Sequence, residues 1–232
     1  MARVESTTGW FRCVLRAGAW VAVALASPGA LALAEAPAAT APVEPAGCRI
    51  VRLSDIGWTD VTATTALFGA LIRHLGYRPE ITVLSLPVTY ASMKNKDIDV
   101  FLGNWMPSQG GDRKSYVADG SVEVIRANLT GAKYTLGVPA YTYDAGLRSF
   151  ADIQRYAAQL NNSIYGIEPG NDGNRLVLGM LRQNLFGLGT FKLIESSEQG
   201  MLAELERAFR DRAPIVFLAW NPTEGPRSRL QD

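Results

Sequence analysis

The chain has 232 residues, 47% of them apolar, which is enough for a sizeable core and for one or two domains. Its formal net charge of +1 leaves no strongly basic surface for nucleic acid or for an anionic membrane. Composition therefore argues against nucleic acid as a partner.

Residues 1–34 have the parts of a secretory signal peptide. Arginines at positions 3, 12 and 16 flank an apolar run at 17–25, and the segment ends on Ala-Leu-Ala. The run is shorter than the roughly 20 residues that cross a bilayer. We therefore expect a cleavable signal peptide and a periplasmic protein. Cleavage would remove three arginines and one glutamate, changing the net charge from +1 to −1.

Residues 35–47 are rich in Ala and Pro, without apolar periodicity, and are typical of a flexible leader. The sequence has two cysteines, and Cys13 lies within the predicted signal peptide. Cys48 would then be the single cysteine of the mature chain. Lipidation of Cys48 is not expected, because it lies far beyond the apolar run.

From residue 48 onward, strand-like and helix-like segments alternate. Strands are predicted at 48–56, 81–86, 98–105, 133–143, 163–168, 191–196 and 214–220. Helices are predicted at 60–75, 88–96, 150–160, 174–185 and 198–209, with Gly76 closing the first and Ser196 and Gln199 forming a capping box before the last. This alternation predicts an α/β fold with mostly parallel sheets. Residues 106–132 are polar without a predicted element, and 221–232 form a polar tail.

A search for catalytic motifs finds none. The zinc-protease, P-loop, nucleophile-elbow, EF-hand and dinucleotide patterns are missing from the sequence. The one histidine, His74, is interpreted as a surface or packing residue of its predicted helix. Four acidic residues are interpreted as solvated or capping carboxylates: Glu168, Asp172, Glu195 and Glu198. We therefore expect no enzyme, no cofactor and no metal.

Three tryptophans, Trp58, Trp105 and Trp220, stand at the carboxyl ends of apolar runs. Each alone would more simply be a core residue. In open α/β sheets, however, ligands bind beyond the carboxyl ends of the strands, and three aromatic faces there suit a poorly hydrated cation. Asp60 follows Trp58 at a predicted helix start, where it is either a carboxylate favoured by the helix dipole or a counter-charge for that cation.

Six segments of the chain resemble the glycine betaine/choline-binding proteins of ABC transporters, and in particular the choline-binding periplasmic group. They are residues 55–66, 87–107, 126–136, 164–176, 195–203 and 216–222. The resemblance implies a type II-like periplasmic binding protein whose two lobes close on the ligand. Lobe one would comprise 48–126, lobe two 127–220, and the truncated tail 221–232.

The resemblance also implies a set of binding residues. Trp58, Trp105, Tyr134 and Trp220 would form an aromatic box around the quaternary ammonium group of choline, and Asp60 would face the cation. Asn171 would bond the hydroxyl end of choline, although a residue in that turn is equally suited to cap the next helix. The expected function is capture of choline by a monomer that delivers it to an ABC transporter permease.

The chain departs from the family pattern after residue 222. In the family a further C-terminal part completes lobe one and carries a cysteine that pairs with the N-terminal one, and here that part is missing or replaced. Three alternatives stay open: a binder of glycine betaine or a related betaine, a truncated non-functional homologue, and an enzyme on the same fold.

Overall fold

The structure is a computed structural model and describes residues 45–221. The predicted signal peptide, nearly all of the leader and the tail beyond residue 221 lie outside the described residues. Among the residues described, no helix is both long enough and apolar enough to cross a membrane.

The first part of the chain forms a three-stranded parallel sheet with the strand order β2-β1-β3. Its strands are β1 (Ile50–Asp55), β2 (Arg78–Val83) and β3 (Val100–Phe101). A 3-10 turn (Ala46–Arg49) precedes them, and the helices are α1 (Thr59–His74), α2 (Leu86–Lys94) and α3 (Gly110–Ala118). We call this unit the first lobe.

The second part forms a four-stranded mixed sheet with the order β4-β7-β5-β6, in which β4 alone runs antiparallel to its neighbour. Its strands are β4 (Lys133–Gly137), β5 (Ser163–Tyr165), β6 (Lys192–Ile194) and β7 (Phe217–Asn221). Its helices are α4 (Ala140–Asp144), α5 (Asp172–Arg182) and α6 (Glu198–Asp211), with 3-10 helices at Phe150–Tyr156 and Leu185–Thr190. We call this unit the second lobe.

Helix α6 shows how the sequence produces such an element. The Ser197 side chain accepts a hydrogen bond from the backbone N–H of Gly200 and so caps the helix. Apolar side chains then recur at helical spacing, and Met201, Leu205 and Ala208 are buried. The helix therefore covers the second sheet with one face and exposes the other.

The main hydrophobic core lies in the second lobe. Ile164, Leu188 and Val216 are completely buried there. The first lobe contributes Ile56, Trp58 and Val61 to the same cluster. The core thus reaches the boundary between the lobes at the segment that carries Trp58.

The α/β fold is confirmed, and several details differ from the prediction. Residues 140–144 form a helix after Pro139, not a strand, because the Pro139 carbonyl accepts hydrogen bonds from the next turn. The segment 150–160 forms a 3-10 helix over Phe150–Tyr156. Helix α3 was missed because it buries no residue and so shows no apolar periodicity. The cap of α6 is Ser197, one residue after the predicted Ser196.

Two further expectations concern single residues. His74 is exposed at the end of α1, as predicted. Cys48 is disulfide-bonded, so the expectation of a single cysteine without a disulfide is wrong. That expectation rested on removing Cys13 with the signal peptide, and Cys13 lies outside the described residues.

Candidate ligand-binding site

Three of the predicted aromatic residues form one cluster where the lobes meet. The Trp105 ring centroid lies 4.7 Å from that of Trp220, at an interplanar angle of 63°. It lies 6.1 Å from the Tyr134 centroid, at an angle of 88°. Rings that meet at such angles make edge-to-face contacts and form a corner, not a stack.

The backbone explains why these rings meet. Tyr134 and Trp220 are register partners on the antiparallel strands β4 and β7. Trp220 is the second-last residue of β7, within one residue of the strand end predicted from the sequence. Trp105 follows β3 in the turn toward α3 and reaches the pair from the first lobe. Gly173 completes the fit, because a Cβ there would collide with the Tyr134 ring.

Trp58 and Asn171 are linked to each other through Glu168. The buried Trp58 donates its indole N–H to Glu168 Oε1 at 3.0 Å, and Asn171 donates its amide to the same oxygen at 3.2 Å. The Asn171 Oδ1 atom accepts from the backbone N–H groups of Gly173 and Asn174, so Asn171 is also the N-cap of α5. Both sequence interpretations of Asn171, helix cap and site residue, are compatible with this position.

Three acidic side chains act electrostatically on the Tyr134 hydroxyl. Burial raises the pKa of Tyr134, and the negative charges of Asp172, Glu168 and Asp60 raise it further. Burial likewise raises the pKa of Asp60, with additional repulsion from Glu198 and Asp55. This part of the site is therefore rich in carboxylates that water solvates poorly.

Asp172 is the most unusual of these carboxylates. Asp172 is 1% exposed, and both of its carboxylate oxygens are buried without a hydrogen-bond partner among the residues described. The adjacent Ser108 hydroxyl donates instead to the Trp105 carbonyl, at 3.3 Å. Burial raises the pKa of Asp172. The Ser108 hydroxyl and the positive charge of Arg175 offset only part of this rise. An ionised carboxylate in this position is therefore costly, and a further positive charge nearby would stabilise it.

Sequence reasoning missed the roles of Glu168 and Asp172, which it interpreted as solvated or capping carboxylates. Glu168 accepts a hydrogen bond from Trp58, which lies 110 residues away in the sequence, and no local sequence pattern predicts such a pairing. Within residues 45–221, no group of His, Cys, Asp and Glu side chains is arranged to hold a metal. A pocket of about 140 Å³ beside α6, lined by residues such as Gln159, Glu204 and Arg207, contains none of the predicted site residues.

Comparison with known proteins identifies the family. Residues 50–225 match the family described as the substrate-binding domain of an ABC-type glycine betaine transport system. The chain belongs to this family. Its members are transport substrate-binding proteins and do not form an enzyme family.

Solved structures of relatives share the fold. An ABC-transporter choline-binding protein in complex with choline is 54% identical with a TM-score of 0.72, and the match covers 77% of this chain. Lactococcal OpuAC in its closed-liganded conformation with glycine betaine is 28% identical with a TM-score of 0.65, over 75% of this chain and 65% of that one. The chain spans 62% of the length of the choline-binding protein.

The sequence is also similar to that of a curated bacterial protein. The uncharacterised protein ORF1 of Chromohalobacter salexigens is 51% identical over 129 residues, which cover 56% of this chain and 83% of that protein. The solved structures of the family have the two-lobed architecture that was expected from the sequence.

Proposed function

We propose that this chain is an extracytoplasmic solute-binding protein that captures choline between its two lobes and presents it to the membrane permease of an ABC transporter. The single observation that carries the proposal is the corner formed by Trp105, Tyr134 and Trp220, together with the buried Asp172 and the partly buried Asp60 and Glu168, whose charges act on Tyr134. The 54% identity to a choline-binding protein supports the same ligand. The proposed ligand-binding residues are Trp58, Asp60, Trp105, Tyr134, Asn171 and Trp220.

The chemistry of choline fits aromatic walls. A quaternary ammonium group has no N–H to donate, so hydrogen bonds cannot hold its charge. Aromatic faces attract it by about 0.5–2 kcal/mol for each ring, depending on desolvation. Four rings can thus supply much of the roughly 8 kcal/mol that corresponds to micromolar affinity.

The charges near the rings favour a true cation over a zwitterion. Asp60, Glu168 and Asp172 all act on the Tyr134 hydroxyl, so their negative charge is concentrated where the ligand would lie. Choline adds a positive charge to this group of carboxylates and offsets their desolvation. Glycine betaine brings a carboxylate of its own. The nearby Arg175 could pair with that carboxylate only by giving up its present bonds to Asp112 and to the Gly170 carbonyl.

Glycine betaine remains the second candidate ligand, because it is bound by lactococcal OpuAC. Isothermal titration calorimetry with choline and with glycine betaine separates the two. We expect choline to bind more tightly, and Asp60→Asn to weaken choline by about tenfold while changing glycine betaine less. Equal losses for both ligands would contradict the counter-charge role of Asp60. Absence of binding to either would favour a non-functional homologue.

A further inference from the structure

Three consecutive residues of the first lobe, Gly57, Trp58 and Thr59, are each hydrogen-bonded to a residue of the second lobe. Gln199 donates its side-chain amide to the Gly57 carbonyl at 2.7 Å. The Trp58 indole N–H donates to Glu168 at 3.0 Å. We call Glu168, Glu198 and Gln199 the clasp.

Glu198 makes the third connection. Its carboxylate accepts hydrogen bonds from the Thr59 backbone N–H, with N–O distances of 3.1 and 3.3 Å, and from the Thr59 hydroxyl. Thr59 is the first residue of α1, and its N–H has no partner within the helix. Glu198 thus supplies an acceptor to α1 from the other lobe, at the helix end where the dipole favours a negative charge.

The N-cap position of α1 is Trp58, whose side chain makes no capping hydrogen bond. An N-cap side chain would in any case accept from the second or third N–H of a helix, so it would not serve the first one, that of Thr59. The acceptor for the Thr59 N–H comes from Glu198, across the boundary between the lobes.

The first lobe by itself sets only the turn that leads to Trp58. Gly57 adopts a positive φ of 78°, and its N–H donates to Asp55 at 2.9 Å. Thr62 also donates its hydroxyl to Asp55. These bonds fix the backbone at the end of β1, whereas the indole N–H of Trp58 is held from across the boundary.

We propose that Glu168, Glu198 and Gln199 are positioning residues, which fasten the Gly57–Thr59 segment and its Trp58 ring when the lobes close and thereby set how long choline stays bound. The inference rests on the proposed function for its ligand. It assigns to the three residues a part in retention of the ligand that is separate from recognition. Glu168 has an additional part, since the oxygen that holds Trp58 also accepts from Asn171.

The first test compares Glu198→Ala with Glu206→Ala. Both glutamates lie on α6, and Glu206 is exposed and outside the clasp. Stopped-flow tryptophan fluorescence gives the association and dissociation rates of choline. We expect Glu198→Ala to raise the dissociation rate about tenfold, with association changed less than about threefold, since contacts made after encounter act mainly on dissociation. Glu206→Ala should leave both rates unchanged. Equal dissociation rates in the two variants would overturn the clasp.

A second pair isolates the acceptor oxygen of Glu168. Glu168→Gln keeps an oxygen that can accept from Trp58, and Glu168→Ala removes it. The alanine variant should release choline faster than the glutamine variant. The unfolding temperatures of the two variants, measured without ligand, should differ little. If the two variants release choline at the same rate, Glu168 does not position Trp58 through this oxygen.

A measurement without ligand separates failure of the clasp from failure of the proposed function. Calorimetry on the unaltered chain shows whether choline binds at all. Hydrogen exchange of the Thr59 amide, in choline-free protein, reports on its bond to Glu198. Exchange should be about tenfold faster in Glu198→Ala than in Glu206→Ala. The same comparison is repeated with saturating choline, and unchanged exchange under both conditions would overturn the clasp.

Discussion

The two lobes differ in how completely their apolar residues are covered. In the second lobe, Ile164, Leu188 and Val216 are fully buried between the sheet and its helices. In the first lobe, Leu53 is fully buried, but Leu67 and Leu71 on α1 and Leu75 directly after it are each more than half exposed, and the edge strand β2 exposes Val83 by 68%. Within residues 45–221, packing energy is thus concentrated in the second lobe, and the first lobe is the part that we expect to open more easily.

The candidate site lies at the boundary between these unlike halves. Tyr134 and Trp220 stand on paired strands of the well-packed lobe, whereas Trp105 and Trp58 come from loops of the other. Rigid strands hold side chains more precisely than loops do. The loop residues are therefore the ones that need contacts from across the boundary, such as the bond from Trp58 to Glu168.

The largest expected effect compares the two lobes directly with the same substitution. Leu188→Ala empties a fully buried position of the second lobe and should lower the free energy of unfolding by about 2–5 kcal/mol. Leu71→Ala, at a side chain that is 57% exposed on α1, should change it by about 0.5 kcal/mol or less. Urea unfolding of both variants measures the difference. Similar losses would show that something covers α1 as fully as Leu188 is covered.

How much of the structure can be predicted from the sequence depends on how far apart in the sequence the interacting residues lie. Helix α1 was predicted to within one residue at each end, because its apolar periodicity and Gly76 are local signals. The 3-10 form of Phe150–Tyr156 depends on tertiary packing. The three tryptophans of the candidate site were found from their positions after apolar runs, and Tyr134 from the resemblance alone. The structure brings Trp105, Tyr134 and Trp220 together.

The carboxylates could not be assigned in this way. Asp172 looks like an ordinary first-turn acid in the sequence, and its burial follows only from the packing of α5 against Tyr134. Glu198 and Gln199 were expected to act within their own helix. Their side chains instead reach Thr59, the first residue of α1, and Gly57, two residues before it. Contacts between residues so far apart in the sequence produce no periodic pattern from which they could be predicted.

The second prediction asks whether both lobes contribute to one cage. Trp105→Ala removes a ring of the first lobe and Trp220→Ala a ring of the second. Each should raise the dissociation constant for choline by about 30-fold or more, as truncation of a central aromatic contact does. Tyr143→Ala, an exposed ring outside the site, is the control and should change affinity less than about twofold. If one tryptophan proves dispensable, choline does not bind in that corner.

The smallest expected effect concerns pH. Burial raises the pKa values of Asp60, Glu168 and Asp172. A carboxyl with a raised pKa in the folded state stabilises the fold below its unfolded pKa of about 4, and this stabilisation is lost as pH rises through the folded pKa. The ligand-free protein is thus penalised at neutral pH, where these groups are ionised, and a bound cation offsets the penalty.

The rise in unfolding temperature caused by choline should therefore be larger at pH 7 than at pH 4. Differential scanning calorimetry with and without choline at both values measures it. The difference between the two pH values should shrink in Asp60→Asn, which removes one of the titrating groups. A rise that is independent of pH would show that these carboxylates do not act on the ligand.

The central claim is that the cage recognises a positive charge and not merely an apolar shape. Isothermal titration calorimetry with choline and with 3,3-dimethylbutan-1-ol, its uncharged analogue of the same shape, tests this most directly. We predict that choline binds and that the neutral alcohol binds about 100-fold more weakly, since it lacks both the attraction to the rings and the attraction to Asp60. Equal affinity for the two molecules would contradict the account.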